Sequence, residues 1–155
     1  MSYCWDTSAW VHSWVRTSPP DIFVSLWDRL DGAISGGQIR SPEEVYIELE
    51  RQEGDTLLDW VKDRKETLIS ALTEDLQTSV TEIGVAFPPF IAGDGDRNFA
   101  DPWVIALARV HGLTVVTQER RPGSPDSPTI PRVCDHFGVA YVNTFEFMRA
   151  EGWSF

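Results

Sequence analysis

The sequence predicts an α/β fold in three layers, α/β/α, around a central, mainly parallel sheet of four to five strands. Two observations carry that expectation. Short apolar or β-branched runs alternate with amphipathic stretches of helical period along the whole chain, the pattern of parallel strands joined by helical crossovers. The 155 residues are 42% hydrophobic, with seven tryptophans and eight phenylalanines, enough core material for one domain over 1–155 and too little length for two.

Taken in order, Ser2 to Trp5 is a short apolar strand that ends in the turn Asp6-Thr7-Ser8. Trp10, Val11, Trp14 and Val15 recur at helical spacing and mark a first helix. After Pro19-Pro20, the positions Ile22, Phe23, Leu26, Trp27, Leu30 and Ile34 mark a second, stopped by Gly36-Gly37. Gln38 to Arg40 is a brief strand. Ser41-Pro42-Glu43-Glu44 reads as a helix start with a capping box, and that helix carries Val45, Glu48 and Leu49. Leu57 to Val80 supplies one or two more helices, and Phe87 to Asp96 a loop punctuated by Pro and Gly. Asp101-Pro102 opens a helix closed by Gly112. Leu113 to Thr117 is the clearest strand, Glu119 to Thr129 an exposed loop, Ile130 to Phe137 a helix, Val139 to Val142 a last strand, and Asn143 to Ala150 a closing helix.

Composition narrows the function. No apolar run is long enough to span a membrane, and the N-terminus lacks the basic-then-apolar pattern of a secretory signal. Cys4 and Cys134 are too few for a disulfide framework, so a cytoplasmic location is expected. The net charge of −11, from 13 basic and 24 acidic residues, runs against the usual basic surface of nucleic-acid binders. Either the acids gather around metal ions or a main partner is basic. The three histidines lie on different predicted elements, and no His/Cys pairing has zinc spacing. There is no Gly-x-Ser-x-Gly elbow and no glycine-rich phosphate loop; Ser8 stands where an Asp-x-Asp phosphatase would carry its second acid.

The acids carry the chemistry. Ligands in open α/β sheets bind at the carboxyl ends of the strands. Asp6 directly follows the first strand and Glu119 follows the Leu113–Thr117 strand, while Glu48 and Asp101 sit on helices able to point to the same edge. Four carboxylates at one edge repel unless a cation lies among them. Oxygen-only donors suit a hard ion such as Mg²⁺ or Mn²⁺, which activates water and neutralises charge in phosphoryl chemistry. Thr7, Ser8 and Thr117 are placed to hydrogen-bond the ligating carboxylates.

Asp-Thr-Ser after the first strand, Glu48-Leu49 late in a helix, Asp101-Pro-Trp-Val-Ile-Ala-Leu-Ala at a helix head and Thr117-Gln118-Glu119 after a strand together resemble PIN-like domains, from about Tyr3 to Phe147. The stretches Ser41–Leu49 and Phe99–Ala108 are also similar to an uncharacterised bacterial PIN-like family. The resemblance implies a Mg²⁺- or Mn²⁺-dependent endoribonuclease, the toxin of a toxin–antitoxin pair, leaving 5′-phosphate and 3′-hydroxyl ends. Asp6, Glu48 and Asp101 then hold the metal and Glu119 completes the catalytic set. It further implies RNA as substrate, a basic antitoxin partner and a homodimer. Glu119 departs from the pattern, since an aspartate is usual there.

Rival roles exist for several of these residues. Asp6 and Asp101 also suit helix caps, and Glu44 shares a helix face with Glu48 but is assigned to the capping box. Asp94 and Asp96 are alternative ligands in a glycine-rich loop. Among cations near the acids, Arg120 and Arg121 are the favoured phosphate contacts, with Arg16 and Arg97 as further candidates. A second function class is a PIN-like interaction module that keeps the fold without turnover, supported by the net charge and by Glu119.

Overall fold

The computed structural model of the protein describes residues 1–52, 56–92 and 99–155. Its central sheet is made of β1 (Tyr3–Trp5), β2 (Ile39–Pro42), β3 (Ile69–Ser70), β4 (Thr114–Val116) and β7 (Tyr141–Val142), in the order β3-β2-β1-β4-β7 with every pairing parallel. A separate two-stranded hairpin joins β5 (Gly123–Ser124) to β6 (Ser127–Pro128). The helices are α1 (Thr7–His12), continued by a π-helical turn over Ser13–Thr17, then α2 (Val24–Ser35), α3 (Glu43–Glu50), α4 (Leu57–Lys62), α5 (Lys65–Leu68), α6 (Glu74–Ala86), α7 (Pro88–Ala92), α8 (Asp101–His111), α9 (Ile130–Phe137) and α10 (Thr144–Ala150). The expected α/β architecture is present, and its sheet, expected to have four to five strands, has five.

Strand β1 is central, so its side chains are buried on both sides of the sheet, and the period of two sorts them. The rings of Tyr3 and Trp5 meet Phe147 of α10 edge-on at 4.7 and 5.3 Å, and Trp5 packs on Trp10 of α1 at 4.4 Å. Cys4 points the other way, into electrostatic reach of Cys134 of α9. The helices pack in two groups, α1 with α3 and α2 with α5 in one, and α8 with α6 and α9 in the other. Right-handed crossovers place those groups on opposite faces, because the chain steps from β1 toward β3 and then returns past β1 to β4.

The tryptophans expected on apolar helix faces do form core. Trp10, Trp14, Trp27 and Trp60 pack on one another with centroids 4.8 to 6.4 Å apart. The indole N–H of Trp27 donates to the Ser18 carbonyl at 2.7 Å, and that of Trp10 to Ser41 Oγ at 3.0 Å. This use of Ser41 overturns the capping box expected at Ser41 and Glu44. Ser41 belongs to β2, is fully buried, and its hydroxyl donates to the Trp5 carbonyl at 2.7 Å, so it is turned into the core between Trp5 and Trp10 rather than toward the helix start. Helix α3 starts after Pro42 with no side-chain cap. The capping box lies elsewhere, at Asn143 and Glu146 of α10. Ser41→Ala orphans the Trp10 N–H and is expected to cost about 1–3 kcal/mol, read from the urea midpoint.

Four other expectations change, the first being the segment from Phe87, expected as a loop, which carries helix α7 over Pro88–Ala92. The second helix begins at Val24: the Pro19 carbonyl accepts from Ile22 and Phe23 in a preceding turn, which leaves Ile22 70% exposed. Strand β3 interrupts the run predicted as helix between Leu57 and Val80. The loop after Glu119 contains the β5–β6 hairpin, pinned by Gly123, whose φ is +67° and where a Cβ would collide with the Ser127 carbonyl oxygen.

Candidate functional site

The chain leaves β1 toward β2 on one side and comes back to β4 on the other, so the sheet's topological switch lies between β1 and β4. The register Trp5↔Val116 sets the two strand ends level, and the Asp6 N–H donates to the Val116 carbonyl at 3.0 Å. Asp6 and Thr117 therefore leave the sheet side by side.

Asp6 is buried and heavily hydrogen-bonded. It caps α1, with Oδ1 accepting from Ala9 N at 2.7 Å. Both its oxygens accept from Ser8 Oγ at 2.8 Å, and Oδ2 accepts from Thr117 Oγ1 at 2.6 Å. Thr117 Oγ1 in turn accepts from Glu119 N, and Ser8 Oγ from Gln118 N, both at 3.1 Å. The two hydroxyls thus lock Asp6 to the segment after β4. Burial nevertheless raises the Asp6 carboxyl to about 7, further raised by Glu119, against the lowering effect of Thr117, Ala9 and Ser8.

The other three acids arrive from separate elements. Glu48, on α3, accepts from Ala100 N at 2.8 Å through Oε1 and so ties α3 to the head of α8. Glu119 Oε2 accepts from Ile130 N at 2.9 Å, at the first turn of α9. Asp101 lies inside the first turn of α8, after Ala100, and so does not cap it. It is 8% exposed and its carboxylate has no hydrogen-bond partner among the described residues. Its pKa is raised well above the ordinary carboxylate value by burial, then by Glu119, Asp6 and Glu48. Glu119 is raised as well, by burial and by Glu48, against its bond to Ile130.

All four acids line one open cleft of ≈ 340 Å³, with Thr7, Ser8, Val11, His12, Arg16, Gln52 and Gln118. The Thr7 hydroxyl oxygen is buried there without a partner among the described residues. Arg120 and Arg121 are exposed on the segment toward β5 and do not line it. Asp94, Asp96 and Arg97 lie outside the described residues. Sequence reasoning missed His12, Gln52 and Gln118. His12 was findable, since Ser8, His12 and Arg16 follow one another at intervals of four, a helical face that begins beside Asp6.

In chemistry the donors fit a hard dication: oxygen only, mutually repelling, with Asp101 facing the open cleft and carrying no hydrogen bond to the described residues. As positioned, no three His, Cys, Asp or Glu among the described residues form a ready ligand set, Glu48 and Glu119 each being bonded to a backbone amide.

This sheet order, with acids at its switch point, is a PIN-like α/β/α fold, and solved structures share it. FitAcB from Neisseria gonorrhoeae aligns at 16% identity and a TM-score of 0.50, over 92% of this chain and 98% of its counterpart. VapBC2 from Rickettsia felis, solved bound to a DNA fragment from its promoter, aligns at 12% identity with the same TM-score of 0.50 and the same coverage of 92% and 98%. Comparison with curated proteins finds no significant match. The chain belongs to the DUF4411 family, a domain of unknown function whose pattern matches residues 3–155. Among the described residues, no helix is long and apolar enough to cross a membrane.

Proposed function

We propose that the protein is a nuclease that uses Mg²⁺ or Mn²⁺ to hydrolyse phosphodiester bonds in RNA, as the toxin of a toxin–antitoxin pair. The observation that carries this reading is Asp101: buried, without a hydrogen-bond partner among the described residues, and with its pKa raised well above the ordinary carboxylate value by burial and by Glu119, Asp6 and Glu48 around one cleft. Such a group is stabilised when a dication enters. Asp6, Glu48 and Asp101 would hold the ion and Glu119 would assist. When bound, the ion activates water for attack on phosphorus and neutralises charge on the phosphate.

The chain's own residues do the positioning. Ser8 and Thr117 orient the Asp6 carboxylate and favour its ionised form by donating to it. Glu48 and Glu119 are each fixed through one oxygen to a backbone amide, which leaves the other for the ion or its water. Thr117→Val removes the shortest of the Asp6 bonds, and a fall in cleavage of about 10–100-fold is expected from losing that support.

The test is incubation of the purified chain with single-stranded and structured RNA. Cleavage with Mn²⁺, products bearing 5′-phosphate, and loss of activity with chelator support the reading; absence of cleavage with either metal overturns it. The acidic surface, at net charge −11, suits a basic antitoxin whose arginine enters the acid cluster. Mixing with the neighbouring gene product should give a complex, and no complex counts against that part.

One observation favours a second reading, a PIN-like interaction module without turnover. Glu48 and Glu119 already bind backbone amides, and the described acids form no assembled ligand set. RNA cleavage that survives in both Asp6→Asn and Asp101→Asn would be a contaminant's, and this second reading would stand.

A further inference from the structure

We propose that Arg16, with His12, forms the wall of the cleft that grips a backbone phosphate of single-stranded RNA next to the bond being cut. This rests on the nuclease reading and adds the groups that hold the substrate.

The physical problem is charge. Asp6, Glu48, Asp101 and Glu119 line the cleft, and an incoming polyanion needs a positive group beside them. Among the described residues, Arg16 is the lining side chain with a fixed positive charge, and it makes no hydrogen bond or ion pair with any of them. A guanidinium offers a planar pair of donors that matches two phosphate oxygens. His12, one turn earlier on the same wall, donates an N–H in either protonation state.

The backbone is shaped for this placement. Ser8, His12 and Arg16 are four apart, and an α-helix has about 3.6 residues per turn, so each four-residue step drifts round the axis. The chain changes to a π-helical turn at Ser13–Thr17, where Ser18 N bonds the Ser13 carbonyl at 2.9 Å across five residues. The wider turn takes up the drift between His12 and Arg16 and keeps Arg16 over the cleft with Ser8. Asp6 caps the start of the same helix, so ligand and phosphate grip are mounted on one rigid piece.

The experiment measures binding of a fluorescein-labelled single-stranded oligoribonucleotide, by anisotropy with Mg²⁺ over a range of salt. The protein is the full chain carrying Asp101→Asn, which blocks cleavage. Arg16→Ala should weaken binding about tenfold and lower the salt slope by about 0.7, one phosphate contact on a single strand. Arg16→Lys should restore the slope and only part of the affinity. His12→Ala should weaken binding with a smaller change of slope. Lys62→Ala, an exposed cation outside the cleft, should do neither. Arg16 is exposed and unpaired among the described residues, so its variants should keep the parent melting temperature. If the parent protein binds RNA and Arg16→Ala behaves as Lys62→Ala does, the phosphate grip is overturned and the nuclease reading survives. If the wild-type chain neither binds nor cleaves RNA, both fall. Because DNA carries the same phosphates, Arg16→Ala should weaken binding of a matching oligodeoxynucleotide about equally; a parent protein that binds the oligodeoxynucleotide more tightly than the oligoribonucleotide would overturn RNA as the ligand class.

Discussion

Asp101→Asn is expected to lower Mn²⁺-dependent RNA cleavage by more than about a hundredfold, a larger loss than supporting residues show, while making the metal-free protein more stable. Both signs come from the same environment. Asparagine has nearly the same shape, but it removes a negative charge that is disfavoured by burial and by Glu119, Asp6 and Glu48. It therefore relieves the empty site and cripples the loaded one. Asp6→Asn should lose as much activity with a smaller gain in stability, because Ala9, Ser8 and Thr117 already satisfy the Asp6 carboxylate. Single-turnover cleavage and urea midpoints measure the two effects together. A variant at Asp101 that cuts normally, or that is less stable without metal, contradicts the assignment.

The metal-free protein should also lose stability as pH rises, the reverse of ordinary acid denaturation. The Asp6 carboxyl is raised by burial from 3.8 to about 7 in the fold, and Asp101 and Glu119 are shifted in the same direction. The folded state then holds protons that the unfolded chain has released. The contribution is whole below about pH 4 and is lost as pH climbs through about 7. Between pH 5 and 8 the Asp6 shift alone amounts to roughly 3 kcal/mol, on the order of 10 °C in melting temperature for a chain of this size. Saturating Mg²⁺ or Mn²⁺ should flatten the dependence, since an ion that binds only the folded state adds about 2.7 kcal/mol at a hundred times its Kd. Calorimetry across that range checks it, and a melting temperature that rises from pH 5 to 8 without metal would show that the cleft acids are ionised at no cost.

The strand–helix alternation was legible because apolar period is local: Ile130–Phe137 matches its helix residue for residue, and the chain from Leu113 to Thr117 contains β4. The placing of Asp6, Glu48, Asp101 and Glu119 along one cleft was legible too, through two strand ends, the head of α8 and the last turn of α3. What escaped depends on partners distant in sequence. Ser41 looked like a cap because nothing local reveals that Trp5 and Trp10 consume its hydroxyl. Strand β3 is two residues long and exists by pairing with β2, so no local signal marks it. Arg120 and Arg121 looked well placed by adjacency to Glu119, yet their segment turns away toward the hairpin while Arg16, more than a hundred residues earlier, lines the cleft.

The proposed nuclease requires a dication among Asp6, Glu48 and Asp101. A crystal of the protein soaked in Mn²⁺ and measured at the manganese absorption edge would reveal that ion. The expected result is an anomalous peak within about 2–2.6 Å of oxygens from those three side chains. A well-ordered cleft with no peak at saturating Mn²⁺, or a peak bound elsewhere, would contradict it.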